Sequence, residues 1–446
     1  MPSAPSRRLL SLAWPMFLEM LLGIGVSVLC TGMAGHISDN SGAAFAMGTQ
    51  LAATLFLLFR IIGAGVSVVI TQNLGAGRPE QADAVARAAV GASSWIGGFS
   101  MLSALLFATP LLRVLNTPEE VLPLAVPLLR WLAPAILLDV WNASMVSVMR
   151  AHLRARDTLV VIVIMQIVVI ALAVPLMPRM GLEGYALALF VSRVVGVVLH
   201  LWLWKLRLSL RLQLHDWWRL PRRELAAVLH IGLPGAAENL CYRLCFMTGV
   251  AAIGTMGTQA VATHAYTMQL MWVVLLFGLS IGFAAEIMVG HMIGAGQLHA
   301  AHRLVRKAMG LGLPASIVIA SCFALASPWL LRFFTDDPAI IATGTTLMWW
   351  TVLIEPGRTF NLVVINALRA AGDARYPVMT GAFSMVIVLA GGAWLLGVHF
   401  GMGLVGVWIS YAADEWIRGL IMWRRWARHG WVPHARATHR RVRAMG

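Results

Sequence analysis

Glu19, Asp139, Glu238 and Glu355 are carboxylates set inside long apolar stretches of the chain. A charge at mid-bilayer costs about 2.5–3.5 kcal/mol on insertion scales, so such a residue normally faces an interior and needs a reason to be there. The chemistry open to it is holding a proton or a cation. Glu19 follows Pro15 by four residues, and Glu238 follows Pro234 by four. Counted from Leu9 at about 1.5 Å per residue, Glu19 falls roughly 15 Å down its helix, near the midplane. Glu238 falls at the same depth in its own helix. The plainer alternative makes each a hydrogen-bonded packing residue at a proline kink. Glu355, Arg358, Asn361 and Asn366 share one stretch, and spacings of three and eleven put Glu355, Arg358 and Asn366 near one helix face. Glu355–Arg358 reads either as a permanent ion pair or as a switch, in which protonation of Glu355 frees Arg358 and changes the packing of the helix.

The elements that position these residues occur twice. Gln72–Ala82 reads QNLGAGRPEQA and His291–Ala301 reads HMIGAGQLHAA, with Gly75 and Gly294 separated by 219 positions. The same offset carries Pro15 onto Pro234, Glu19 onto Glu238, Gln50 onto Gln269 and Asn142 onto Asn361. It also carries Gly63 onto Gly282 and Met149-Arg150-Ala151 onto Leu368-Arg369-Ala370. One gapless offset over some 350 residues means an internal duplication, the usual construction of secondary transporters. Each Gly-Ala-Gly reads as the close of a helix and a reversal, because glycine supplies positive φ.

The composition is 59% hydrophobic and 12% charged, and uncharged runs such as 88–112, 158–178, 308–331 and 376–413 are long enough to cross a bilayer. Ten-residue alternation of the kind a β-barrel needs is missing. The net charge of +15 would suggest nucleic acid in a soluble protein. Here the basic residues sit in alternate short loops, which is the positive-inside bias, and it excludes a nucleic-acid partner. The expected fold is an all-α integral membrane protein of twelve transmembrane helices in two pseudo-symmetric six-helix lobes. It lies in the cell inner membrane with both termini cytoplasmic. The expected organisation is an N-lobe at 1–206, a basic linker at 207–228, a C-lobe at 229–424 and a basic tail at 425–446. Trp217-Trp218 and the arginines of the linker favour an anionic membrane face. The tail lacks apolar periodicity and reads as partly disordered. Cys30, Cys241, Cys245 and Cys322 form no CxxC and read as packing residues.

These repeated features resemble the multidrug and toxic compound extrusion family. The resemblance rests on the two Pro-x3-Glu motifs, on Leu74-Gly75-Ala76-Gly77 and Ile293-Gly294-Ala295-Gly296, and on Met149-Arg150-Ala151 and Leu368-Arg369-Ala370-Ala371-Gly372-Asp373. Gly401-Met402-Gly403-Leu404-Val405-Gly406 adds the start of the twelfth helix. It implies two lobes around a central cavity and export of organic, often cationic, compounds driven by protons or sodium. Members commonly carry an aspartate fifteen residues after the early proline; this chain has Cys30 there. A neutral thiol cannot replace a carboxylate. Asp139, which the repeat places opposite Arg358, is the acid available to stand in for it.

The coupling candidates are therefore Glu238, Glu355, Asp139 and Glu19. The candidates for the substrate cavity are Arg358, Asn361, Asn142, Tyr242, Gln50 and Gln269. Glu286 reads as an anchor near the end of its helix, and Asp414, Glu415 and Arg418 as residues that pair and snorkel. The expected function is cation-coupled antiport of a small molecule by a monomer in the lipid bilayer, with no cofactor beyond the coupling H+ or Na+. The alternative is a flippase or exporter of a lipid-linked or anionic metabolite, which would use Arg60, Arg193, Arg243 and Arg358 as a cationic cavity. A membrane enzyme is excluded by the lack of a catalytic constellation; His291, His299 and His302 have no HExxH spacing. A channel stays open as a further alternative, with the lack of a filter-like repeat against it.

Overall fold

The structure, a computed structural model, describes residues 5–444. The side chains of residues 5–7, 60 and 61 lie outside the described residues, and with them the reading placed on Arg60. Among the described residues there is no strand. Twelve long helical segments follow one another. They are α1 Pro5–Ile37, α2 Asp39–Gly75, α3 Pro79–Leu106, α4 Leu122–Ala151, α5 Ala155–Met180 and α6 Leu182–Leu208, then α7 Arg222–Gly254, α8 Thr258–Gly294, α9 Leu298–Leu331, α10 Pro338–Ala370, α11 Arg375–His399 and α12 Gly403–Ala427. Short helices stand at Ala108–Val114 and Leu214–Trp217, and a thirteenth helix, α13, closes the chain at Val432–Ala444.

Nine of the twelve segments are long and apolar enough to cross a membrane by length and composition alone. The three that fall short are α7, α10 and α12. Each carries buried charge: Glu238 in α7, Glu355, Arg358 and Arg369 in α10, and Asp414, Glu415 and Arg418 in α12.

The chain folds as two compact units. One takes in Leu18–Leu74 and Arg78–Leu233; the other takes in Pro234 onward with Gly75–Gly77 and α1 as far as Phe17. The core of the first unit is apolar, with Phe45, Leu122, Leu128, Leu129, Leu132 and Met177 packed around Cys30. The core of the second is richer in aromatic and sulfur side chains, with Trp408, Tyr411, Met268, Met271, Met385 and Cys245.

Turn chemistry repeats between the units. Arg78 N–H donates to Asn73 C=O at 2.9 Å, and Gln297 N–H donates to Met292 C=O at 2.8 Å. Both close a helix with a six-to-one bond across a glycine of positive φ, Gly77 at 75° and Gly296 at 73°. Arg154 N–H to Met149 C=O and Asp373 N–H to Leu368 C=O, both 3.0 Å, close α4 and α10 in the same way. There the left-handed residue is Leu153 in one repeat and Gly372 in the other.

The structure adds detail to one basic segment and corrects the expectation for the other. Within 207–228, α7 already begins at Arg222. The segment's single 3-10 turn is fastened onto the first unit: Trp217 meets Trp141 edge-on at 4.6 Å, and Trp95 Nε1 donates to Trp218 C=O at 3.0 Å. The tail is ordered as α13, which buries Ala435, Thr438 and Val442 at helical spacing, with Trp431 buried just before it. Ala435 and Thr438 are small or polar, so the stripe does not register as apolar periodicity.

Candidate functional site

Burying a carboxylate is costly unless a partner and hydrogen bonds replace the lost water. The structure supplies a matching arrangement in each repeat. Glu19, 4% exposed, pairs with Arg150 and accepts a 2.6 Å hydrogen bond from Thr158 Oγ1. Glu238, 7% exposed, pairs with Arg369 Nη2 at 2.5 Å, and Arg369 Nη1 also donates to Asn366 Oδ1 at 3.3 Å. Both acids and both arginines are mates under the 219 offset. Glu19 and Glu238 stand near the middle of α1 and α7, while their partners come from helix ends: Arg150 and Arg369 lie in the last turns of α4 and α10, and Thr158 in the first turn of α5.

The largest polar cluster belongs to the second unit. Arg358 Nη1 pairs with Glu355 Oε1 at 2.7 Å along α10, and Arg358 Nε pairs with Glu415 Oε1 at 3.2 Å on α12. Glu415 also meets Arg418 at 3.1 Å and accepts from Asn361 Nδ2 at 3.0 Å. Arg418 reaches Asp414 at 2.8 Å, and Asp414 accepts from Ser384 Oγ of α11 at 2.8 Å. The Arg418 guanidinium lies over the Tyr242 ring of α7, 5.7 Å from its centroid. Four helices thus converge on three carboxylates and two guanidiniums, all buried. The pairing of Glu355 with Arg358 is present; it is one link of a chain rather than an isolated pair. Asp414, Glu415 and Arg418 are 0–4% exposed. They pair at helical spacing, as expected, and with Arg358 they complete the cluster. The signal for them was available: they put three charges within one helix-length of α12.

The first unit has a smaller counterpart. Asp139 pairs with Arg193 Nε of α6 at 2.5 Å. Asn142 Nδ2 donates to Arg193 C=O at 3.0 Å, and Asn142 Oδ1 lies 3.0 Å from His200 Nδ1. Gln50 and Gln269 are exposed, and their side chains bond to no described residue. Cys30 is buried in the apolar core, so no polar group takes the place of the absent helix-1 aspartate there.

Glu286 is 5% exposed, too buried for an anchoring role at a helix end. It lies on the seam where α8 meets α10. A Cβ on Gly278 would come within 2.7 Å of Thr359, and one on Gly282 within 2.9 Å of Asn366, so the glycines let the helices close up. Glu286 is one turn further along that stripe, within electrostatic reach of Arg369.

Comparison with known proteins agrees with the duplication. The MatE family model matches twice, over residues 15–174 and 234–394. An uncharacterized transporter of Bacillus subtilis, YisQ, is 33% identical over 97% of this chain and 96% of its own. The multidrug resistance protein PmpM of Pseudomonas aeruginosa is 24% identical over 90% of this chain and 84% of its own. Among solved structures, the Vibrio cholerae MATE transporter VcmN in its bent form superposes with a TM-score of 0.87 at 19% identity, over 98% of each chain.

Proposed function

We propose, from the premise that this chain belongs to the multidrug and toxic compound extrusion family of multi-pass membrane transporters, that it exports organic cations in exchange for an entering proton or sodium ion. The observation that carries the reading is the charge balance inside the second unit. Glu355, Asp414 and Glu415 face only Arg358 and Arg418, three carboxylates against two guanidiniums. A buried excess negative charge is expensive and calls for a proton or a cation to neutralise it. In the first unit each of the two candidate acids has its own arginine, Glu19 with Arg150 and Asp139 with Arg193. Ion loading therefore belongs to the second repeat, with Glu355 at the free end of the cluster as the group that exchanges it. Glu238 and Asp139 are structural partners of their arginines in this reading, although both began as coupling candidates. Asn361, whose Oδ1 is buried without a partner, is the polar group that responds when Glu415 shifts.

The chain works as a single protomer in the cell inner membrane by alternating access. The end of the helices that carries the Gly-Ala-Gly turns and α13 faces the cytoplasm, because the basic residues gather there. Export of a lipid-linked anion would call for unpaired arginines. Of the arginines that reading would use, Arg193 and Arg358 are ion-paired, which favours the cationic substrate; Arg243 is exposed and outside any described ion pair, and the Arg60 side chain lies outside the described residues.

The test is efflux of a cationic dye from proteoliposomes under an imposed pH or sodium gradient, wild type beside Glu355→Gln. Wild type concentrates dye only under one of the gradients, and the variant equilibrates it without concentrating it. Dye movement indifferent to both gradients in wild type would sink the reading.

A further inference from the structure

Arg369 is shared. Its Nη2 pairs with Glu238 at 2.5 Å, its Nη1 donates to Asn366, and its buried Nε has no hydrogen-bond partner. Glu286 acts on the same guanidinium from α8. No described residue donates a hydrogen bond to Glu286, and Arg369 is the one charged group among the described residues that acts on it electrostatically. From α7 the triad receives Glu238, which also feels Arg418. From α10 it receives Arg369 and the neutral Asn366. The His439 side chain of α13 is engaged with the Gly294 carbonyl, two turns further along α8. One guanidinium thus serves two carboxylates, and one of the two, Glu286, is buried beside a glycine-lined seam with no described side chain donating to it.

We infer that Glu286 is a second proton-carrying acid of the transport cycle, separate from the Glu355 cluster. The inference rests on the cation-coupled reading above and adds a second ion to it. With a proton on Glu286, Arg369 stays with Glu238 and ties α10 to α7. When Glu286 releases its proton to the aqueous side, the new carboxylate draws the unpartnered Nε edge of Arg369 toward α8. The α10–α7 tie loosens and the α10–α8 seam tightens. No covalent bond changes; the proton leaves one carboxylate oxygen for solvent, and a charged hydrogen bond passes from one helix pair to another. The carrier is assigned as a proton because no group of three or more His, Cys, Asp or Glu among the described residues is arranged to hold a metal ion.

The first repeat shows the contrast. Arg150 has Glu19, and the position matching Glu286 under the 219 offset is Ser67. Loading of a second proton is therefore a property of the second repeat alone.

Two measurements test this. In proteoliposomes, the steady-state dye gradient is measured against imposed pH difference at zero membrane potential. Two protons per dye give a hundredfold change in gradient per pH unit, and Glu286→Gln lowers this to tenfold while the dye is still concentrated. Separately, infrared difference spectra on a pH jump contain a protonated-carboxyl band that Glu286→Gln removes and Glu355→Gln leaves in place. A Glu286→Gln protein with the wild-type slope and an unchanged band overturns the inference and leaves the proposed function standing. A wild type with no slope at all sinks the proposed function itself, and the infrared result then decides on Glu286 alone. Glu286→Asp, which keeps the acid, restores both signals if the residue carries a proton and restores neither if the glutamine merely disturbs packing.

Discussion

Arg193 and Glu415 occupy the same place in the two repeats and carry opposite charges. The correspondence is set by the close approach of Gly184 to Leu176 and of Gly406 to Leu396, where a Cβ would meet backbone at 2.6 Å in both cases. Counted from those glycines, Arg193 and Glu415 are both nine residues on. Their partners Asp139 and Arg358 are mates as well, also with signs exchanged. Duplication preserved an ion pair between the fourth and sixth helices of each repeat, and divergence reversed its polarity. The reversal lets the second repeat extend the pair into a cluster, since Glu415 accepts from two arginines and an asparagine, whereas Arg193 bonds one acid.

The two versions should differ in their weight. Glu415→Gln strips three donors of a fully buried partner and is expected to cost about 3–5 kcal/mol. Asp139→Asn removes one partner from a pair whose side chains are 32% and 16% exposed, and costs less, about 1 kcal/mol. Thermal unfolding of the purified protein in detergent ranks them; equal losses would contradict the assignment.

The Glu19–Arg150 pair predicts coupling between two residues 131 positions apart. Glu19→Gln and Arg150→Met each leave a stranded partner and should each destabilise. The double variant should lose less than the sum, with an interaction energy of about 1–3 kcal/mol in a double-mutant cycle. Strict additivity would mean that the pair does not form.

Cys30 offers a direct probe of the departure from the family pattern. It is 1% exposed among Ala34, Ala44, Phe45 and Leu129. Cys30→Asp, which installs the acid that the family resemblance implies there, should lower stability by about 2–4 kcal/mol and add no ion to the coupling stoichiometry. Cys30→Ala should be nearly silent. The comparison is read by thermal unfolding together with the dye-gradient slope.

Gly372 holds φ at 89°, and a Cβ on it would fall 2.3 Å from Thr438 Oγ1 of α13. Gly372→Ala therefore adds about 1–2 kcal/mol of backbone strain and pushes α13 off its seat. Limited trypsin digestion should cut after Arg436 and Arg440 much faster in the variant, while the rest of the chain stays resistant. Unchanged digestion would show that α13 is held by other contacts, such as the stack of Trp426 on Trp431 at 4.2 Å.

Much of this architecture was legible in the residues. The duplication, the twelve segments and the two Gly-Ala-Gly turns follow from offsets and apolar run lengths, and Gly77 and Gly296 adopt the positive φ their position demands. The acids that matter were also visible as acids. Their partners were not, because pairing joins helices remote in sequence: Glu19 to Arg150, Asp139 to Arg193, Glu355 through Arg358 to Glu415. One signal was there unused. An acid and an arginine 131 residues apart recur together in both repeats, and two positions retained in step through a duplication are good candidates for contact. Glu286 was misjudged because its distance from the helix end was weighed without the glycines beside it, which is where the close helix approach originates.

The three segments that fall short as membrane spans by length and composition carry buried charges that are synthesised at different times. Glu238 emerges from the ribosome long before Arg369, so α7 waits for the end of α10 to be neutralised. Arg358 is born beside Glu355, and its second carboxylate, Glu415, comes only with α12. A nascent protein interrupted before residue 403 would hold the Glu238–Arg369 and Glu355–Arg358 pairs and lack Asp414, Glu415 and Arg418, so the last tenth of the chain is the step that completes the charge cluster of the second repeat.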